Sequence, residues 1–213
     1  DFLNTLLYHK NQLLMFQSVL FILLFSVFYL LYALAFKNIK TRNILLMLFS
    51  LYFYYKLGGI AIVVLLFIAT SDFFIGKWMF KSAKRKIKSL LLLLAIFIDL
   101  GLLLYFKYTN FFLQTWAGFS GSNDPLILNI IAPIGISYFV FKTLTYIFGI
   151  YREDIEIPEK NYFNYVLYVS FFPNILAGPI SKASDLLVQF RENITMDEKH
   201  IGQGFFLIIC GAF

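Results

Sequence analysis

Residues 13–36 run for two dozen positions without one charged side chain. A helix rises 1.5 Å per residue, so this run reaches about 36 Å, enough to cross a hydrocarbon core of roughly 30 Å. It is too long for a signal-peptide core of about 7–15 residues, and no small-residue cleavage site follows. Lys37, Lys40 and Arg42 come next, and cations beside an apolar run mark residues 37–43 as cytoplasmic. Further apolar runs follow at 44–55, 58–76, 89–106 and 126–150, then an interrupted one at 161–180 and a last one at 201–213. Only 14% of residues are charged and 60% are hydrophobic, with a mean hydropathy of +0.77. A soluble domain carries about 25% charged residues. The period-2 alternation of a membrane barrel is absent. The expectation is an all-α, polytopic transmembrane bundle: one membrane domain over 1–213, multi-pass in the cytoplasmic membrane.

The loops carry the topology. Residues 77–88 hold Lys77, Lys81, Lys84, Arg85, Lys86 and Lys88 and no acid, so they read as cytoplasmic, with membrane lipid as a natural contact. Residues 152–160 fall on the same side, and the turn-rich 117–125 falls outside. The net charge of +6 lies in these loops, which argues against nucleic acid as a partner. The run 44–55 is short, about 18 Å of helix, and suits a tilted span or a thinned bilayer. The run 201–213 is shorter than a span and reads as a helix cut off part way. Cys210 is the one cysteine, so no internal disulfide is expected; in its apolar run it reads as a packing residue. His9 and His200 cannot make a metal site, and none is expected.

Residues 161–180 are apolar but broken by Pro173, Gly178 and Pro179. Proline removes a donor and clashes with the preceding turn. Irregular backbone at membrane depth is tolerated only where protein or a watery cavity covers it. The segment is expected to be re-entrant, leaving 181–200 cytoplasmic; a spanning course, with 181–200 outside, is the other reading. Pro133 and Gly135 break regularity near the outer end of 126–150. Three charges lie in apolar runs: Asp72 near a helix end, where it can reach the interface, and Asp99 and Lys142 deeper. Asp99 and Lys142 count to similar depths from their cytoplasmic ends, so an ion pair between them is expected, with a catalytic or transport role as the other reading. Ser137, Ser170 and Ser181 are ordinary in membrane helices, and no nucleophile–base constellation can be drawn. The residues alone leave an enzyme, a transporter and a structural or lipid-binding subunit open.

Taken in order, Ser50–Tyr54, Ser71–Gly76, Phe106–Tyr108, Pro133-Ile-Gly-Ile-Ser137-Tyr-Phe, Tyr151-Arg152-Glu153, Asn164 to Pro173, Ala177-Gly-Pro-Ile180 and Gln189-Phe190 resemble the membrane-bound O-acyltransferases. The likeness is to the bacterial branch that acetylates alginate, peptidoglycan and other cell-envelope polysaccharides. It departs at Asp72 and Asp99, where the family usually has Asn. The resemblance implies an N-terminal part of a longer O-acetyltransferase whose catalytic histidine lies beyond Phe213, so that no catalytic residue is carried by this chain. It implies acyl transfer from a cytoplasmic thioester, acetyl-coenzyme A, across the membrane to a polysaccharide hydroxyl, with no bound cofactor. An extracytoplasmic transferase is the implied partner. D-alanyl transfer to teichoic acid is the alternative within the family. Ser137, Tyr138, Lys142, Tyr168, Pro173, Gly178 and Pro179 are the implied tunnel-lining residues.

Overall fold

The computed structural model describes residues 18–120, 127–155, 157–176 and 181–193, with 202–204, 206, 207 and 210. Among the described residues all regular structure is helical. Helix α1 spans Val19–Ala35, α2 Ile39–Gly58, α3 Ile62–Lys81 and α4 Arg85–Leu103. A π turn, Leu104–Tyr108, carries α4 on into α5, Thr109–Ser120. Helix α6 spans Ile136–Arg152, α7 Tyr162–Ser170 and α8 Ala183–Arg191, with a 3-10 turn at Phe172–Asn174 between the last two.

Among the described residues, two stretches are long and apolar enough to cross a membrane: Ile39–Lys81, of 43 residues, and Arg85–Ser120, of 36. The first is interrupted at Gly59, whose φ of 55° turns the chain back between α2 and α3. The return is visible at the opening of α7. Asn43 of α2 donates to Asn164 (3.1 Å), and Thr70 of α3 lies 2.8 Å from the Tyr162 hydroxyl. Helix α3 is the hub, packing on α4, α6 and α7, while α2 packs on α1 and α7. Gly76 permits the close α3–α6 approach, since a Cβ there would stand 3.0 Å from both Ile150 and Tyr146. The outward faces of α1 and α4 are apolar, with Leu34 84% and Phe97 77% exposed. Such continuous apolar surface needs lipid or further protein against it.

Several expectations change. Helix α2 is 20 residues long rather than a 12-residue span, because Asn38 caps it by accepting from the Lys40 and Thr41 amides. Arg42 is therefore inside a helix and buried, not a loop cation. Lys56 also lies within α2 rather than in a connection. Residues 127–135 are not helical, and α6 starts only at Ile136, so 126–150 is not one continuous helix. Cys210 is exposed rather than packed. The first residues of 13–36, His9, His200, most of the loop 117–125, Gly178 and Pro179 lie outside the described residues.

The interrupted segment turns back on itself. Helix α7 starts beside Asn43, and its 9 residues climb about 13 Å. The chain breaks at Phe171, two residues before Pro173, which has no amide to give the Val169 carbonyl and whose ring would clash with it in a continued helix. The freed Phe172 amide donates to Ser50 Oγ (3.2 Å), about halfway along α2. Helix α8 then ends back at the starting level. Arg42 donates to the main-chain oxygens of Phe190 (3.0 Å) and Glu192 (3.0 Å), and Arg191 pairs with Glu159 (2.7 Å) just before α7. A buried arginine is tolerable here because it caps the otherwise unpaired carbonyls at a helix end.

Candidate functional site

Two irregular segments meet in the middle of the bundle. Residues 127–135 come from the far end, held there by Asn110, which donates to the Leu128 carbonyl (2.8 Å), and by the Tyr54 hydroxyl, which donates to Ile134 (3.0 Å). They reach the turn of the α7–α8 segment at Gly135. A Cβ on Gly135 would stand 2.5 Å from the Ile175 carbonyl oxygen, and its φ is 74°, so both space and conformation call for glycine.

Beside this contact lies Lys142. Its side chain is completely buried and its Nζ has no hydrogen-bond partner. The nitrogen stands 4.7 Å from the centroid of the Tyr168 ring and 5.9 Å from that of Tyr138, so aromatic faces are what it meets. The Tyr168 hydroxyl is within reach of the main-chain oxygens of Lys142 (3.1 Å) and Ser181 (3.3 Å), which ties α7 to α6 and to the start of α8. Asn174 donates to Ser181 Oγ (2.5 Å). A buried amine with no acceptor, set between aromatic faces beside the break in two segments, is equipped to meet an oxygen of something that enters there.

Of the residues singled out from the sequence, Tyr138, Lys142 and Tyr168 are brought together, and Pro173 sits in the turn next to them. Ser137 stands apart and accepts from Lys107 (3.1 Å). Asn174, Ser181, Ser50 and Gly135 contribute without having been assigned roles. Asn174 carried a signal, as a polar residue directly after the proline of an apolar run.

The expected Asp99–Lys142 ion pair does not form. The Thr143 hydroxyl reaches Asp99 (2.9 Å), so Thr143 is the α6 residue that faces α4. At 3.6 residues per turn the adjacent Lys142 is rotated about 100° away, towards Tyr168. Depth alone matched; direction did not. The carboxyl group beside Asp99 is that of Asp72, which is completely buried rather than reaching an interface. Among the described residues no group of three or more His, Cys, Asp or Glu is placed to hold a metal ion.

At the end where α6 stops and α4 begins, Lys88 pairs with Glu153 (2.9 Å), and Arg85 lies 4.1 Å over the Tyr151 ring. Residues 77–88 and 152–160 thus meet at one end of the bundle. The hydrogen bond and charge of Lys88 hold the exposed Glu153 carboxyl below the ordinary glutamate range.

Known proteins share this sequence pattern. The chain is 32% identical over 164 residues to a probable alginate O-acetylase of Pseudomonas syringae pv. tomato, covering 75% of this chain and 32% of that protein. A probable alginate O-acetylase of Pseudomonas aeruginosa is 32% identical over 181 residues, covering 83% of this chain and 34% of the relative. The peptidoglycan O-acetyltransferase of Helicobacter pylori is 27% identical over 202 residues, covering 83% of this chain and 38% of the relative. The chain spans about a third of the length of these curated relatives. No protein-family model matches it, and no solved structure does. With these relatives, the chain belongs to the membrane-bound O-acyltransferases, in the branch of the alginate and peptidoglycan O-acetyltransferases.

Proposed function

We propose that the chain is the part of a multi-pass O-acyltransferase of the cytoplasmic membrane in which acyl donor and acceptor approach each other. The protein would move an acetyl group from a cytoplasmic thioester, acetyl-coenzyme A, to a hydroxyl of a cell-envelope polysaccharide, directly or through an extracytoplasmic transferase. The observation that carries this reading is the likeness to three proteins named as O-acetylases or O-acetyltransferases. Two features of the fold support it. The α7–α8 segment and residues 127–135 are interrupted at the same depth, which suits a thinned centre reached from both faces. The Lys88–Glu153 and Arg191–Glu159 pairs gather the charged residues at one end, as a cytoplasmic mouth requires.

In such a transfer the acceptor oxygen attacks the thioester carbonyl, the carbon–sulfur bond breaks, and the acceptor's proton leaves with the thiol. Negative charge grows on the carbonyl oxygen meanwhile. Lys142 has N–H donors with no competing acceptor, held between Tyr138 and Tyr168, and its role here is to meet that charge. Tyr168, Pro173, Gly178 and Pro179 would shape the passage. The test is acetyl transfer from radiolabelled acetyl-coenzyme A by membranes holding the full-length protein. Lys142→Met and Lys142→Arg should lower the turnover, the second less than the first. Unchanged turnover in Lys142→Met would remove Lys142 from the site. Absence of any acetyl transfer by the wild type, with alanyl transfer from a carrier thioester in its place, would change the donor.

A further inference from the structure

Away from Lys142, helices α3, α4, α6 and α7 enclose a second polar cluster. Asp72 and Asp99 adjoin, and both are completely buried. Neither oxygen of Asp72 has a hydrogen-bond partner, nor has Asp99 Oδ1. The Tyr165 hydroxyl, also buried and without a partner, stands close enough to feel both carboxyl groups. The Tyr146 hydroxyl on α6, which accepts from the Glu159 amide (3.2 Å), lies near enough to feel the Asp72 charge. Among the described residues, Asp99 from α4, Thr143 and Tyr146 from α6, and Tyr165 from α7 are the polar groups near Asp72, and no cation is among them. Lys142 points the other way, to Tyr168.

Two adjoining carboxylates in an apolar core, with no cation and almost no donors, cannot both be ionised. Thr143 adds a second constraint. Its hydroxyl, with one proton to give, lies 2.9 Å from Asp99 Oδ2 and 3.0 Å from the Val140 carbonyl, both acceptors if Asp99 is ionised. A proton on Asp99 resolves this, because Asp99 then donates to Thr143 and Thr143 donates to Val140. We propose that Asp72 and Asp99 form a proton-binding site in the core of the bundle, the two carboxyl groups holding a proton between them at neutral pH. Thr143 hydrogen-bonds Asp99, the unpartnered Tyr165 hydroxyl lies beside the pair, and the shared proton joins α3 to α4. The site stands independently of the acyl-transfer reading.

The test uses the full-length protein in detergent. The infrared spectrum of the wild type minus that of the D72N/D99N double variant, at neutral pH, should contain the carbonyl band of a protonated carboxylic acid. If the double variant does not fold, D99N replaces it in the subtraction, because an amide at position 99 donates to Asp72 and makes the proton unnecessary. Absence of the band from the difference overturns the proposal. Melting temperature gives a second readout. The folded state binds a proton that the unfolded chain releases, so wild-type stability should fall from mildly acidic to mildly alkaline pH. The D72N and D99N variants should lose less over the same range; curves parallel to the wild type would overturn the site. Repeating the melts in sodium and in choline salts separates a metal ion from a proton. A sodium-dependent gain at neutral pH that D72N abolishes would replace the proton with sodium and overturn the proposal as stated.

Discussion

Helices α3 and α4 and the α7–α8 segment occupy the same bundle but are held in different ways. The first two satisfy their own backbones and meet their neighbours mainly through apolar side chains, with Leu65, Ile68 and Met79 of α3 and Ala95 of α4 completely buried. Polar contacts such as Thr143 to Asp99 and Lys88 to Glu153 are between side chains. The α7–α8 segment cannot do this, because its backbone stops being helical at Phe171. Its partners are borrowed from α2: Ser50 takes the Phe172 amide, Arg42 the carbonyls at the end of α8, and Asn43 both Asn164 and the Phe190 carbonyl. Asn43, Ser50 and Tyr54 recur at intervals of seven and four, which places them along one stripe of α2. Where one segment is interrupted in apolar surroundings, a straight neighbour carries the polar residues that complete it.

Glycine tests this contrast most sharply. Gly135→Ala puts a side chain against the Ile175 carbonyl in a left-handed conformation, and should cost about 3–4 kcal/mol. Gly101→Ala, on α4 with nothing near its Cβ, should be neutral or stabilising by about 0.5–1 kcal/mol. Thermal unfolding of the full-length protein in detergent measures both. Equal effects at the two glycines would dissolve the distinction between continuous and interrupted regions.

Lys142→Met separates function from stability within the interrupted region. Turnover should drop about 100-fold, the usual loss for one donor to a developing oxyanion. The melting temperature should hold or rise, since an unpartnered buried amine contributes nothing to packing that Met does not. Arg42→Met should do the reverse: a stability loss of about 2 kcal/mol, as the α8 carbonyls lose their donors, and reduced activity only as the fold is lost.

The smallest effect belongs to Glu153. Its carboxyl sits below the ordinary range because of Lys88, so its contribution is present above the unfolded value of about 4.3 and fades as pH falls through the lower folded value. Glu153→Gln should therefore flatten the acid side of the melting curve slightly and leave neutral pH unchanged. The side chain is open to solvent, where such pairs contribute little.

Much of this is legible in the sequence. Long uncharged runs give helices, and Pro173 and Pro133 mark the two irregular places, because proline acts on its own backbone and needs no partner. What pairs with what was harder. Asp99 and Lys142 counted to one depth, yet their meeting depends on which side of each helix faces the other, and adjacent residues such as Lys142 and Thr143 face different neighbours. The cations of 37–43 illustrate another gap. Lys40 is exposed, as loop cations are, but Arg42 is buried at the end of α8, a residue about 150 positions later that local reading cannot connect to it. The role of Tyr165 had no signal, since one tyrosine among 14 in an aromatic-rich chain does not stand out.

The chain between Lys160 and Glu192 enters and leaves the bundle at the same end. Single cysteines at Lys160, Glu192 and Ser120, all exposed positions, can be placed in a Cys210→Ser background of the full-length protein and probed with a membrane-impermeant thiol reagent. Positions 160 and 192 should behave alike, labelled only after the cells are opened, while position 120 is labelled on intact cells. Labelling of 192 together with 120 on intact cells, with 160 still protected, would mean that the segment crosses the membrane and would contradict the account.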